Sequence, residues 1–305
     1  MEAIKKGWSV FKMSFHLAQK SGTVWLLILL SLLTEILVTL VYLIFTYGVL
    51  TGAFSLNLKE IVNYFSVDNF SQAVQSITYY QKIFLIGGYL FLTIFVATFY
   101  NFAITYNILE FLKNGRKVKI SEAVKFSMSR LRDISVWTIV LMTVNVIFSI
   151  LNNIAERFGR VGEFIMKVIN GFLGTAWNLL TLFVVPIYVE NKNIGLKSVL
   201  KRSKDTFVKT WGETVVAAIS VTTFSSLFIF LTFISLIFLS IFVIPEQFIV
   251  FSMVLSLVIL FILILFASAM EKIFKIVLYI YASTGEVPKM IENKKEIIEK
   301  SFVKK

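Results

Sequence analysis

Glu35 stands near the middle of a long apolar run, residues 24–50, and no other carboxylate lies at comparable depth in such a run. An ionisable group at that depth is expensive, so it must face other helices and meet a partner or water. Ser31, Thr39, Tyr42 and Thr46 recur around it every three or four residues, which places them on one helical stripe. Comparable stripes are Ser135, Thr138, Asn145, Ser149 and Asn152 in a third apolar run, and Gly171, Gly174, Asn178 and Thr181 in a fourth. A second run offers Ala97, Asn101 and Thr105. Two chemistries use such residues. Converging stripes make a polar path for ions, protons or small solutes. Packed helices use the same small residues for close approach and the same hydroxyls and amides for bonds across the seam. Glu35, Asn101, Asn145 and Asn178 are the intramembrane polar candidates under either reading.

Catalytic arrangements are easier to exclude than to find. The chain has no cysteine and a single histidine, His16, set among lysines, so no Cys/His cluster exists for zinc. There is no phosphate-cradling glycine loop and no G-x-S-x-G. The carboxylates Glu110, Asp133, Glu190, Asp205, Glu213 and Glu271 are interleaved with Lys and Arg, a spacing that suits surface ion pairs better than a metal site. We expect neither an enzyme nor a resident metal or other cofactor.

The elements that must position these groups are membrane helices. Of 305 residues, 57% are hydrophobic and 16% charged, with a mean hydropathy of +0.83; a soluble domain carries roughly 25% charge. Apolar runs at Val24–Leu50, Ile83–Leu109, Ile134–Leu151, Ile165–Val189, Val215–Val243 and Phe248–Phe266 are near the ~20 residues needed to cross a hydrocarbon core. Pro245, in the IPEQ linker, breaks the fifth run from the sixth and makes them a tight hairpin. The first run starts late and is too long for a secretory signal, so it reads as an uncleaved span. The expected class is all-α: a six-helix transmembrane bundle over 1–290 with a charged tail at 291–305.

Charge sets the orientation. Segments 1–23, 110–133, 190–214 and 267–305 hold 25 of the 30 Lys and Arg. The positive-inside rule then puts these segments and both termini on the cytoplasmic side of a cell membrane. The net charge of +12 follows from topology and asks for no nucleic-acid partner.

The basic segments have more order than a loop requires. Ile4, Trp8, Phe11, Phe15 and Ala18 share one helical face opposite Lys5, Lys6, Lys12 and His16. Ile120, Ala123, Val124, Met128 and Leu131 alternate with Lys119, Lys125, Arg130 and Arg132. Leu196, Val199, Leu200, Ser203 and Phe207 oppose Lys197, Lys201, Lys204 and Lys209. Each segment leads to a tryptophan near the start of a span: Trp25, Trp137 and Trp211. Basic helices with aromatic anchors suit an anionic headgroup layer. The interface candidates are therefore Lys5, Lys6, Lys12, Lys125, Arg130, Lys197, Lys201, Lys204, Lys209, Trp8, Trp137 and Trp211. Glu110 precedes Gly115 by the same spacing as Glu190 precedes Gly195, which suggests three helix-plus-hairpin units at about 1–112, 113–192 and 193–285.

The run VVPIYVENKNIGLKSVLKRSKDTFVKTWGETVV (184–216) and the ending YIYASTGEVP (279–288) resemble motifs of an uncharacterised six-span prokaryotic membrane family of unknown function. GWSVFKMS at the start is a looser match. The resemblance supports the architecture and carries over no activity. The matched positions read as scaffold: Pro186 kinks the fourth span, Gly212 lets a basic helix bend into the fifth, and Gly285 caps the sixth. The expectation is a non-enzymatic scaffold or lipid-interacting membrane protein, partnered by anionic lipids and by its own copies or another membrane protein. The alternative is a channel or transporter built around Glu35.

Overall fold

A backbone inside hydrocarbon has to satisfy its own N–H and C=O groups within the segment, and the described apolar runs all do so as helices. The computed structural model describes residues 12–52, 78–156, 159–242, 245 and 249–286; no strand occurs among them. In chain order the helices are α1 (residues 12–20), α2 (Gly22–Thr51), α3 (Tyr79–Asn114), α4 (Ile120–Met128), α5 (Leu131–Glu156), α6 (Gly159–Leu180), α7 (Val184–Glu190), α8 (Leu196–Phe242) and α9 (Ile249–Thr284).

Five stretches are long and apolar enough to cross a membrane: Gly22–Thr51, Tyr79–Asn114, Leu131–Ile154, Met166–Glu190 and Phe251–Thr284. The expected crossing at 215–243 falls on α8, where the described apolar stretch, Ser225–Leu239, is shorter. Large apolar side chains lie bare on these helices, Phe84 at 65% and Phe172 at 73% exposure among them. Surfaces of that kind are left for lipid or another apolar partner, compatible with a multi-pass membrane protein.

Contacts group the chain into two compact units, each discontinuous in sequence, so neither follows the serial division at 112 and 192. One comprises Met1–Leu29, Asn101–Phe126 and Gly171–Lys305. Its core takes Phe102, Ile104, Ile108 and Leu112 from α3, Phe183 to Val189 around α7, and Phe274, Val277 and Leu278 from α9. Here α8 and α9 pack along one another, with the exposed Pro245 between them. The other unit comprises Leu30–Tyr100 and Ser127–Asn170.

One expectation about helix course needs correction. The fourth span is two helices and not one kinked helix. Pro186 has no N–H and its ring would strike the carbonyl four residues back, so the ladder fails there. Residues 181–183 form a turn in which Leu182 N–H reaches Leu179 and Val184 N–H reaches Thr181, one residue short of helical spacing. In α8, by contrast, the helix runs unbroken through Trp211 and Gly212 for 47 residues.

On α1 the buried face is Met13, Ser14, Leu17 and Ala18, while Phe15 is 39% exposed, so the face is rotated from the one expected through Phe15. Its last turn is locked from α2: Trp25 Nε1 donates to the Ala18 carbonyl at 2.8 Å, and Ser21 N–H reaches the same oxygen.

Candidate functional site

Three polar assemblies stand out, two in the first unit and one in the second. In the first unit, α3 ends at Gly115, whose φ of +65° is the left-handed conformation that glycine adopts without strain. The turn brings Arg116 back over the last turns of α3. Its Nε donates to Glu110 at 3.1 Å, Nη1 to Glu122 at 2.7 Å and Nη2 to the Tyr106 hydroxyl at 3.0 Å. Tyr106 stacks on Phe126 with ring centroids 4.1 Å apart, and the buried Asn107 donates to the Val118 carbonyl at 3.1 Å. These contacts fold α4 against α3.

Bonds from Glu122, Glu110 and Tyr106 raise the pKa of the Arg116 guanidinium further. The guanidinium in turn holds the Glu122 carboxyl below its ordinary value. With three donor directions used and two carboxylates beside it, Arg116 is a clasp and not an open anion site.

A second ionic group sits at Glu190, the end of α7. Lys113 pairs with its Oε1 and the buried Tyr279 donates to its Oε2 at 2.6 Å. Arg202 donates to Asn191 Oδ1 at 3.1 Å. One carboxylate therefore ties the ends of α3, α7 and α9. The break in the fourth span is satisfied from α8: the fully buried Ser203 donates to the Leu180 carbonyl at 2.6 Å and accepts from Phe183 N–H at 3.3 Å. Sequence reasoning placed Ser203 on the apolar face of its helix without giving it a task. A serine among apolar neighbours, one helix after a proline-broken span, is the signal that would have found it.

In the second unit Glu35 is half-buried and accepts from Ser31 Oγ at 3.1 Å. Its stripe meets α3. Thr34 pairs with the Tyr100 hydroxyl at 2.8 Å, Thr39 with Tyr89 at 3.2 Å, and Tyr42 donates to the Leu85 carbonyl at 2.5 Å. Gly88 makes the last contact possible, since a Cβ there would sit 3.0 Å from the Tyr42 oxygen. Beside this seam lies a cavity of about 540 Å³ lined by apolar groups such as Leu37, Val41, Phe84 and Phe91. On α4, Ser127 donates to the Phe99 carbonyl at 3.0 Å.

The remaining candidates are dispersed. Asn101 is half-buried on α3, whereas Asn145 and Asn178 are exposed on α5 and α6. Lys12, Lys125, Lys197, Lys201 and Lys204 are exposed. Arg130 departs from its expected place at an interface: it is 6% exposed and lies 3.4 Å from Asp133. The reason is that α4 ends at Met128, and the turn at 129–130 rotates Arg130 inward while Met128 and Leu131 turn out. Trp137, expected as a headgroup anchor, is 4% exposed and belongs to the protein interior. Lys5, Lys6 and Trp8 lie outside the described residues, as does the tail at 291–305. Lys209, Trp211 and Gly212 lie on α8, their side chains outside the description. Gly285 follows α9 with φ +75°, its N–H bonded to the Tyr281 carbonyl at 2.8 Å.

Residues 77–288 match a family described as of unknown function, DUF6159. The chain belongs to that family. The match takes in the Arg116 clasp, the broken fourth span and its Ser203 patch, and Glu190 with Tyr279, while Glu35 and the residues before 77 lie outside it. No curated protein and no solved structure matches the chain. Membership carries no activity with it, so function has to be argued from the geometry.

Proposed function

We propose that the chain is a non-enzymatic, lipid-interacting scaffold of the cell membrane, with six crossings and both termini cytoplasmic. The observation that carries this reading is the face of α8. Lys197, Lys201 and Lys204 are exposed, opposite the buried Val199, Ser203 and Phe207, on a helix that continues into an apolar stretch. Lysines so placed meet anionic headgroups at roughly 1 kcal/mol each. The 25 cations gathered in alternate segments support the same side for all four basic segments. The polar groups around Glu35 are engaged in bonds within and between helices, and the described cavity beside them is apolar. Both features favour a packed seam over a conduction path.

Self-association belongs to the proposal. Asn145 and Asn178 sit exposed within candidate spans, and their side chains make no hydrogen bond among the described residues. An amide in hydrocarbon is costly without a partner, and a second helix supplies one.

The reading is tested by native mass spectrometry of the detergent-purified protein in mixed phosphatidylglycerol and phosphatidylcholine. Wild type should retain phosphatidylglycerol preferentially, and replacing Lys197, Lys201 and Lys204 by Gln should reduce that preference several-fold. Equal retention of the two lipids by wild type would rule the reading out.

A further inference from the structure

Hydroxyls on the described spans commonly donate to the carbonyl one turn back, as Thr143, Thr175, Thr232, Ser235 and Ser256 do. Ser225 does not. It is 8% exposed on α8, and its buried Oγ has no hydrogen-bond partner among the described residues. A buried hydroxyl without an acceptor is costly, and a ligand that offers one would offset that cost.

A cavity supplies the place for one. Ser225 lines a space of about 100 Å³ with Phe15 of α1, Phe228 of α8, and Leu263, Phe266 and Ala267 of α9. That is several times the ~10–15 Å³ a single water requires, yet the wall is apolar apart from one serine. The rim is charged. Lys12 lies one turn before Phe15 on α1, and Glu271, paired with Lys275 at 2.6 Å, lies one turn beyond Ala267 on α9. An apolar wall, one hydroxyl and charged residues a turn away on the same helices match the groups of a phospholipid: chain, ester, headgroup.

We propose that this cavity is a lipid site that takes the ester and first acyl carbons of a diacyl glycerophospholipid. Ser225 donates to the ester carbonyl after a turn about χ1, a change that leaves the helix backbone in place. Phe15, Phe228 and Phe266 enclose the adjoining methylenes. The phosphate lies toward Lys12 and Lys275, and Glu271 faces any ammonium on the headgroup. The proposal rests on the lipid-interacting reading in one respect only, that the ligand is a lipid.

The full chain, reconstituted in vesicles of phosphatidylcholine, is doped with a phosphatidylglycerol or a phosphatidylethanolamine carrying a diazirine on an acyl carbon near the ester. After illumination, labelled peptides are mapped by mass spectrometry. Label should concentrate on the peptides containing Phe15, Phe228 and Phe266. Ala267→Phe should cut that label at least five-fold while labelling of α2 and α3 stays as in wild type, and Ser225→Ala, which keeps the packing, should cut it several-fold. Label spread evenly over the spans, or unchanged in both variants, overturns the proposal. Should Ala267→Phe fail to fold, Ser225→Ala alone decides. Equal labelling by the two lipids, in a protein with no anionic preference at the α8 lysines, would retain this site and reject the wider reading.

Discussion

Ser203 on α8 donates its hydroxyl to the carbonyl of Leu180, 2.6 Å away on the last residue of α6. The Ser203 oxygen also accepts from Phe183 N–H, so one side chain bridges two backbone groups left open by the turn at 181–183. The broken span and the following helix are thereby a single construction.

Ser203→Ala should lower stability by about 1–3 kcal/mol, the usual range for leaving a buried backbone group unsatisfied. In a Pro186→Ala background the ladder can close across 181–183, and the loss should shrink. Thermal unfolding of the four proteins of this cycle in one detergent measures the coupling. Additive effects would mean that the serine and the break are unrelated.

Tyr279→Phe keeps a buried ring near Phe183 and removes the bond to Glu190. A hydrogen bond to a charged group is worth about 1.5–3 kcal/mol. Lys113→Gln breaks an ion pair whose side chains are 35% and 26% exposed, where about 0–1 kcal/mol is expected. The melting temperature should fall further for Tyr279→Phe than for Lys113→Gln; the reverse order would place the tie in the ion pair.

Glu122 sets a pH window. Its folded pKa lies below the ordinary 4.5 because Arg116 bonds its charged form. A depressed carboxyl contributes stability that is complete above its unfolded value and is lost as pH falls through the folded one. The clasp should therefore hold at neutral pH and open below 4.5. A carbon-detected titration of the side-chain carboxyl should show the Glu122 midpoint below 4.5 in wild type and near 4.5 in Arg116→Gln. Identical midpoints would remove Arg116 as the cause.

Asn178, exposed on α6 with no side-chain hydrogen bond among the described residues, should contribute to association between copies. Asn178→Leu is expected to weaken self-association by about 1 kcal/mol, the scale of an interhelical polar contact in lipid. Energy transfer between labelled copies, followed as lipid is added to dilute them, reads the change. No concentration-dependent transfer in wild type would dispose of the association itself.

The sequence carried the class and much of the helix layout because apolar length and charge asymmetry are properties of segments. Individual faces were less legible. Val199, Ser203 and Phe207 are buried as a set opposite Lys197, Lys201 and Lys204, since α8 is regular through that stretch and periodicity survives. Arg130 and Met128 exchange places because α4 stops one residue before the turn, and a periodic reading cannot see a phase change. The spacing shared by Glu110–Gly115 and Glu190–Gly195 was real as a pattern but not as a geometry. Gly115 takes the left-handed conformation, whereas after Glu190 it is Asn193, with φ +59°, that does so. The three-helix tie at Glu190 brings together Lys113 and Tyr279, residues too far apart in sequence for a local pattern to connect.

The central claim is that the polar seam around Glu35 holds helices together and conducts nothing. The most direct measurement is flux of ions and small polar solutes through liposomes containing the purified, folded protein, wild type beside Glu35→Gln. Neither protein should pass solute above empty liposomes, and both should unfold within a few degrees of each other, since the amide still accepts from Ser31. Flux in wild type that is abolished or changed in selectivity by Glu35→Gln would contradict the account and make the seam a path.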